Sequence, residues 1–296
     1  MALQLDENFL TSMISTLKDV ACLSYNSIGA LEMNENLSVV GQNHLNALKF
    51  CTLQTNRLCN VLNFLMNSNP DDDEQILENF EVENLINEII NRFTQSVSAY
   101  SPVSAEAHIN LKDTISIILN KAKFELIFLN ILYCCIKKTP GSKTVPLKLS
   151  IYVTENKDNI VFHIHSIGTS LTNEFVDNVL FGPGPLPGDI SDNSFATLIS
   201  ISLNVAQKAA KQIGGRVSHT ALKRGNRFDI YLPKFQNKLS GYSVYSTVPY
   251  IPTYRYYNEI FADIRLEALL QNIVDELEKG GIFTGDISSE IHQRNY

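Results

Sequence analysis

The chain has 296 residues, 44% hydrophobic and 19% charged, with a net charge of −7. That length and apolar content suit about two globular domains with a real core, and the acidic balance excludes the general electrostatic footprint of a nucleic-acid binder. The five cysteines are odd in number, and Cys134 and Cys135 are adjacent, so they read as reduced thiols of a cytoplasmic protein. The first residues lack the basic stretch and apolar run of a signal peptide. No apolar stretch approaches the roughly 20 residues that span a bilayer, so no membrane attachment is expected.

Residues 7 to 33 carry helical period. Leu10, Ile14, Leu17, Ala21, Ser24, Ile28 and Leu31 form a stripe, widened by Met13 and Val20. Met33-Asn-Glu-Asn36 is a polar break. A second helix is expected from about Leu37 to Met66, with Leu45, Leu48, Thr55, Leu58, Leu62 and Leu65 on its apolar face. Pro70 and the acidic run after it end that helix. Two long helices with a short connection predict an antiparallel hairpin over 1–70. Such a hairpin keeps an apolar face that a second copy would bury in a four-helix bundle.

The pattern changes over 75–233. Asn79 to Ile90 predicts a strand start and an amphipathic helix, with Leu85, Ile86, Ile89 and Ile90 inward. Short strands are expected at Ala107–Leu111 and Thr114–Ile118, then a buried helix over Phe124–Lys138. Pro146–Val153 and Ile160–His165 alternate as an antiparallel pair. Asn204–Ile213 reads as a helix stopped by Gly214-Gly215, with two more strands ending at Pro233. Helices on one face of a mixed sheet make an α+β sandwich. Beyond it, 234–296 holds a tyrosine-rich stretch (Tyr242, Tyr245, Tyr250, Tyr254, Tyr256, Tyr257), expected to run extended, and an amphipathic helix over Ile264–Lys279. That helix is expected to pack on its own domain rather than serve a partner.

Phe128-Leu-Asn-Ile-Leu-Tyr-Cys-Cys-Ile-Lys-Lys-Thr-Pro140, Gly214-Gly-Arg-Val217 and Arg227-Phe-Asp-Ile-Tyr-Leu-Pro233 are linked landmarks at family spacing. On these residues the chain resembles the core of sensor histidine kinases: a dimerisation and phosphoacceptor hairpin, then the ATPase fold shared with gyrase subunits and heat-shock chaperones. The resemblance covers about residues 1 to 233 and is most specific over 124 to 233. It implies a homodimer through the hairpin, a kinase or response-regulator partner, and ATP with magnesium as cofactors if the site is intact.

The family's motif residues are mostly replaced. The phosphoacceptor motif falls on Lys18-Asp-Val-Ala-Cys-Leu-Ser24, anchored by Ile28-Gly-Ala-Leu-Glu32; the acidic neighbour is kept as Asp19, and Lys18 stands for the histidine. An ordinary lysine is protonated near neutral pH and has no lone pair to attack phosphorus. His44 is the alternative phosphoacceptor, the one histidine of the hairpin, read otherwise as a partly exposed polar residue. On the helix motif the first asparagine is Asn130, the magnesium-ligand position is Cys134, and Lys137 is retained. A thiol suits magnesium poorly. The adenine-reading motif falls on Ser166-Ile-Gly-Thr-Ser170, where Gly168 is kept, Ser166 stands for the aspartate and Ser170 for the second glycine. Phe181 matches the phenylalanine before the lid, and Gly182-Pro-Gly-Pro-Leu-Pro-Gly188 sits in the lid's place. The last glycine motif carries Ser200 and Ser202, where a Cβ is expected to hinder a phosphate-binding turn.

Each lost polar contact costs about 1–3 kcal/mol. Several together weaken nucleotide binding roughly a thousandfold or more. His163 and His165 lie two apart on one strand face with no third ligand evident, so they read as structural and no metal site is expected. The residues favour a non-catalytic dimeric signalling scaffold or regulator that works by protein binding. The alternative is a divergent histidine kinase, or a histidine phosphotransferase acting through His44.

Overall fold

The computed structural model describes residues 7–34, 37–66, 77–97, 103–109, 116–137, 147–168, 170–181, 194–234, 251 and 253–269. The chain divides into two compact units: Met1–Ser68 with Asn258–Gln293, and Asn69–Tyr257 with Arg294–Tyr296.

The first unit is built on helices α1 (Glu7–Asn34) and α2 (Val39–Met66), which pack against each other as the stripes require. Ile14, Ala21 and Ile28 of α1 and Leu45, Phe50, Cys59 and Val61 of α2 are buried. A Lys49 Nζ–Glu32 Oε2 ion pair of 3.0 Å lies near the turn between them. The apolar stripe is narrower than its sequence pattern, because Leu17, Leu31, Leu48 and Leu62 stay exposed.

Residues 258–269 belong to this unit. Asn56 Nδ2 donates to Glu259 Oε1 at 2.5 Å and Asn60 Nδ2 to Glu259 Oε2 at 3.1 Å. Arg57 Nη1 donates to the Ile260 carbonyl at 3.1 Å and faces Asp263 at 3.9 Å. These polar groups are almost all buried and bonded, which burial demands.

The second unit is an α+β sandwich. Its main sheet runs β2 (Val103–Ile109), β4 (Leu147–Glu155), β5 (Asn159–Ile167), β7 (Gly225–Pro233), β6 (Arg216–Leu222). The β2–β4 pair is parallel and the others antiparallel, so the sheet is mixed. A separate two-stranded sheet pairs β1 (Glu78–Glu81) with β3 (Ser116–Leu119). The helices are α3 (Val82–Val97), α4 (Lys121–Ile136), α5 (Asn173–Phe181) and α6 (Ser194–Gln212).

Strand alternation sends Leu149, Ile151, Val153, Ile160, Phe162, Ile164, Phe228, Ile230 and Leu232 into the core. Phe124 and Phe128 of α4 meet Phe162 edge-on at 5.8 and 5.6 Å, fixing α4 on that face. Gly225 is needed for close strand approach: its φ is +139°, and a Cβ there would lie 1.8 Å from the Ser166 carbonyl oxygen.

Three expectations change. Helix α6 starts at Ser194, not near Asn204. A helix over Asn173–Phe181 precedes it. Tyr254, Tyr256 and Tyr257 lie in helix α7 (Tyr254–Ile260) instead of an extended run. Burial of Tyr257, Ile260 and Phe261 shows why: that three-and-four spacing is helical, and the count of tyrosines hid it. The lid-like segment 182–188 and Tyr242, Tyr245 and Tyr250 lie outside the described residues, as do 270–279 of the expected last helix.

Candidate functional site

Helix α4 places the first group. Asn120 caps it, its Oδ1 accepting from Lys123 N at 2.9 Å. The helix is apolar nearly all round and therefore buried on most sides. Asn130 is within it, its Nδ2 donating to the Leu126 carbonyl at 2.7 Å while Oδ1 is buried without a partner. One turn on, Cys134 is 1% exposed, with Sγ 4.0 Å from the Ile199 carbonyl of α6. Lys137 is buried at the C-terminal end, its N–H closing on the Tyr133 carbonyl.

Ser166 comes from the inward face of β5 and is 0% exposed. Its hydroxyl has no nitrogen or oxygen partner and faces the Cys135 thiol. Burial pushes that thiol up to about 12, and the Ser166 hydroxyl pulls weakly the other way. Gly168 N donates to the Arg224 carbonyl at 3.3 Å. Ser170 Oγ donates to the carbonyls of Leu222 at 3.2 Å and Gly225 at 3.1 Å, so this serine ties a loop to the β6–β7 turn. Phe181 ends α5 with its ring exposed.

Ser200 and Ser202 do not sit at a turn. Both lie inside α6, more than a turn past its start, and both are buried; Ser200 Oγ has no partner. The expected hindrance of a turn gives way to a simpler finding: the helix runs through the motif. Serine tolerates a helix interior better than glycine does.

The structure thus brings Cys134 against α6 through Ile199 and Cys135 against Ser166, while Asn130 bonds within α4. It leaves Ser170 and Phe181 at the periphery. Magnesium demands oxygen ligands in regular geometry, and Cys134, at the position expected from the resemblance to be its ligand, is a buried thiol. The donor set does not fit a magnesium–nucleotide group.

On the hairpin, Lys18 is half-buried, and Asp19 and His44 are exposed. Among the described residues no cluster of three or more His, Cys, Asp or Glu side chains forms a metal site. Among the described residues, too, no helix is long and apolar enough to cross a membrane.

His163 is not isolated. Its Nδ1 bonds Asp229 Oδ1 at 2.6 Å and its Nε2 bonds Thr154 Oγ1 at 2.9 Å. Arg227 Nε also donates to Asp229 Oδ1, at 2.8 Å. Sequence reading passed over Thr154 and Asp229. The available signal was strand parity, which puts both on the same face as His163, but register decides contact.

No protein-family model matches the chain, and no curated protein matches it. Solved structures similar to it include histidine kinases. The Acinetobacter baumannii histidine kinase AdeS has 11% identity and a TM-score of 0.48, covering 72% of this chain and 95% of that one. The catalytic domain of histidine kinase ThkA, nucleotide-free, has 13% identity and a TM-score of 0.43, covering 53% and 97%. ThkA in complex with the response regulator protein TrrA has 14% identity and a TM-score of 0.48, covering 78% and 64%.

Proposed function

We propose that this chain is a histidine-kinase-like protein that has given up nucleotide chemistry and acts as a dimeric signalling scaffold or regulator through protein binding. The observation that supports this most is the state of the motif positions. Cys134, Ser166, Ser200 and Ser202 are closed into the packing of α4, β5 and α6. A nucleotide-reading aspartate and a magnesium ligand must instead face an opening. Loss of the polar groups and burial of their replacements act in the same direction.

The hairpin supplies the dimer. Leu17, Ser24 and Leu31 recur every seven residues on α1, and Leu48, Thr55 and Leu62 do so on α2. The four leucines are 47%, 49%, 56% and 43% exposed, too much apolar surface to leave in water along two regular seams. Heptad spacing suits helix–helix packing with a second copy. The partner class is a kinase or a response regulator, taken from the hairpin's resemblance.

Calorimetric titration of the full chain with ATP and magnesium tests the reading. No saturable heat at millimolar nucleotide is expected. Saturable binding, or label retained on the protein from γ-labelled ATP, overturns it.

A second reading rests on one observation, the exposure of His44 on α2. A histidine phosphotransferase needs a histidine open to a receiver domain. Incubation with a phosphorylated receiver domain should leave no acid-labile phosphate on His44; its appearance would replace the scaffold reading with this one.

A further inference from the structure

The outward face of the main sheet carries an arrangement that the kinase resemblance does not account for. Thr154 on β4, His163 on β5 and Asp229 on β7 form one hydrogen-bonded chain across three strands. Each points away from the helices, because Val153, Phe162, Ile164, Phe228 and Ile230, their neighbours along the strands, are the buried residues. We infer that Thr154, His163 and Asp229 form a nucleophile relay that takes an acyl group from small activated esters.

The roles follow from one tautomer of His163. Nδ1 lies 2.6 Å from Asp229 Oδ1 and 3.1 Å from Arg227 Nη2; with the proton on Nδ1 and given to the carboxylate, Nε2 is the acceptor of the imidazole. Thr154 Oγ1 lies 2.9 Å from that nitrogen, within reach for its proton to pass to the ring. A hydroxyl on a base that a carboxylate orients is the general arrangement of an activated oxygen nucleophile. Arg227 Nε donates to the same Oδ1 at 2.8 Å, which holds the orienting carboxylate in place beside the ring. Beside the relay, Tyr152 lies between His108 and His165, at 4.7 and 5.1 Å between ring centroids, and the half-exposed rings offer a flat surface for an aromatic leaving group.

The step balances without a cofactor. Thr154 Oγ1 attacks the ester carbonyl carbon and its proton moves to His163 Nε2. The carbon–oxygen bond to the leaving group breaks, and the phenolate departs. The imidazolium returns its proton to solvent, leaving an acyl ester on Thr154.

The test is to incubate the full chain with p-nitrophenyl acetate. The expected result is release of p-nitrophenolate with a gain of one acetyl group, mapped to Thr154 by peptide mass spectrometry. Thr154→Val keeps the strand's branched shape and should abolish the label. His163→Ala should slow labelling by about 100-fold, at the low end for a positioned general base, and added imidazole should restore part of it. Asp229→Asn should slow it too, and should move the His163 proton from Nδ1 to Nε2 in nitrogen-15 spectra. Acetylation of Thr154 that needs His163 supports the relay. No label on Thr154, or an equal rate in the Thr154→Val or His163→Ala protein, overturns it and leaves the three residues as a staple of the sheet. None of these residues touches the α4–α6 side, so either result is independent of the scaffold reading.

Discussion

Cys135 and Ser166 face each other from α4 and β5 with almost no exposure. A thiol raised to about 12 stays protonated at pH 8 and is walled off as well. Iodoacetamide at that pH should therefore label the exposed Cys22 of the native protein. The buried pair Cys134 and Cys135 should react only in urea, which peptide mass spectrometry reads directly. The same shift links stability to pH. The folded thiol holds its proton where the unfolded thiol, with a value near 9.0, gives it up. That contribution is whole below about pH 9 and is lost as pH rises toward about 12. The urea midpoint should fall from pH 9 upward, and less steeply in a Cys135→Ala protein. Parity along β5 is enough to point Ser166 inward, and the apolar run of α4 is enough to bury it. That Ser166 meets Cys135, and not a water-filled pocket, depends on how closely a helix settles on a sheet. Residue types and spacing do not encode that distance.

Elements were legible to the extent that their periodicity was undisturbed. The strands β4, β5 and β7 alternate cleanly, and they form where alternation says. Helix α6 was harder. Its first turns, Ser194-Phe-Ala-Thr-Leu, carry no strong amphipathic stripe, and the motif alignment suggested a turn at Ser200 where the helix in fact continues. A polar cluster before it, Ser191-Asp-Asn-Ser194, was the available start signal. The C-terminal segment was harder still, because its partners on α2 lie about two hundred residues away (203 from Asn56 to Glu259). Besides the buried Ile260, Phe261 and Leu269, polar contacts hold it: both oxygens of the Glu259 carboxylate accept from side-chain amides of α2. Glu259→Ala should leave the buried Asn56 donor and the half-buried Asn60 donor short of their acceptors and cost about 1–3 kcal/mol. Glu259→Gln, which keeps one acceptor, should cost less. Urea unfolding of the three proteins reads the order, and equal midpoints would show that this contact does not hold the segment.

At the scale of the whole molecule, the two units differ in how completely each buries its own apolar residues. The sandwich closes in Phe80, Phe93, Phe124, Phe128, Phe162 and Phe228 and leaves fewer large apolar side chains exposed among its described residues, such as Ile167 and Phe181. The hairpin unit leaves more of them exposed, even with residues 258–269 bonded along α2. Of its uncovered leucines, Leu17, Leu31, Leu48 and Leu62 fall in the seven-residue seams and Leu23 and Leu37 lie outside them, so the larger part of the deficit in leucine is ordered along the helices. A single charge placed in such a seam should weaken association without unfolding the chain, because each of these side chains is already about half in water. Sedimentation of the full chain is expected to give a dimer. Leu48→Glu, and Leu62→Glu on the same face, should shift it toward monomer and raise the dissociation constant about tenfold or more, since a fully buried leucine contributes about 1.5–3 kcal/mol. Their helical circular dichroism should match that of the parent. A monomeric parent, or variants that dimerise equally well, would show that these seams are not where two copies meet.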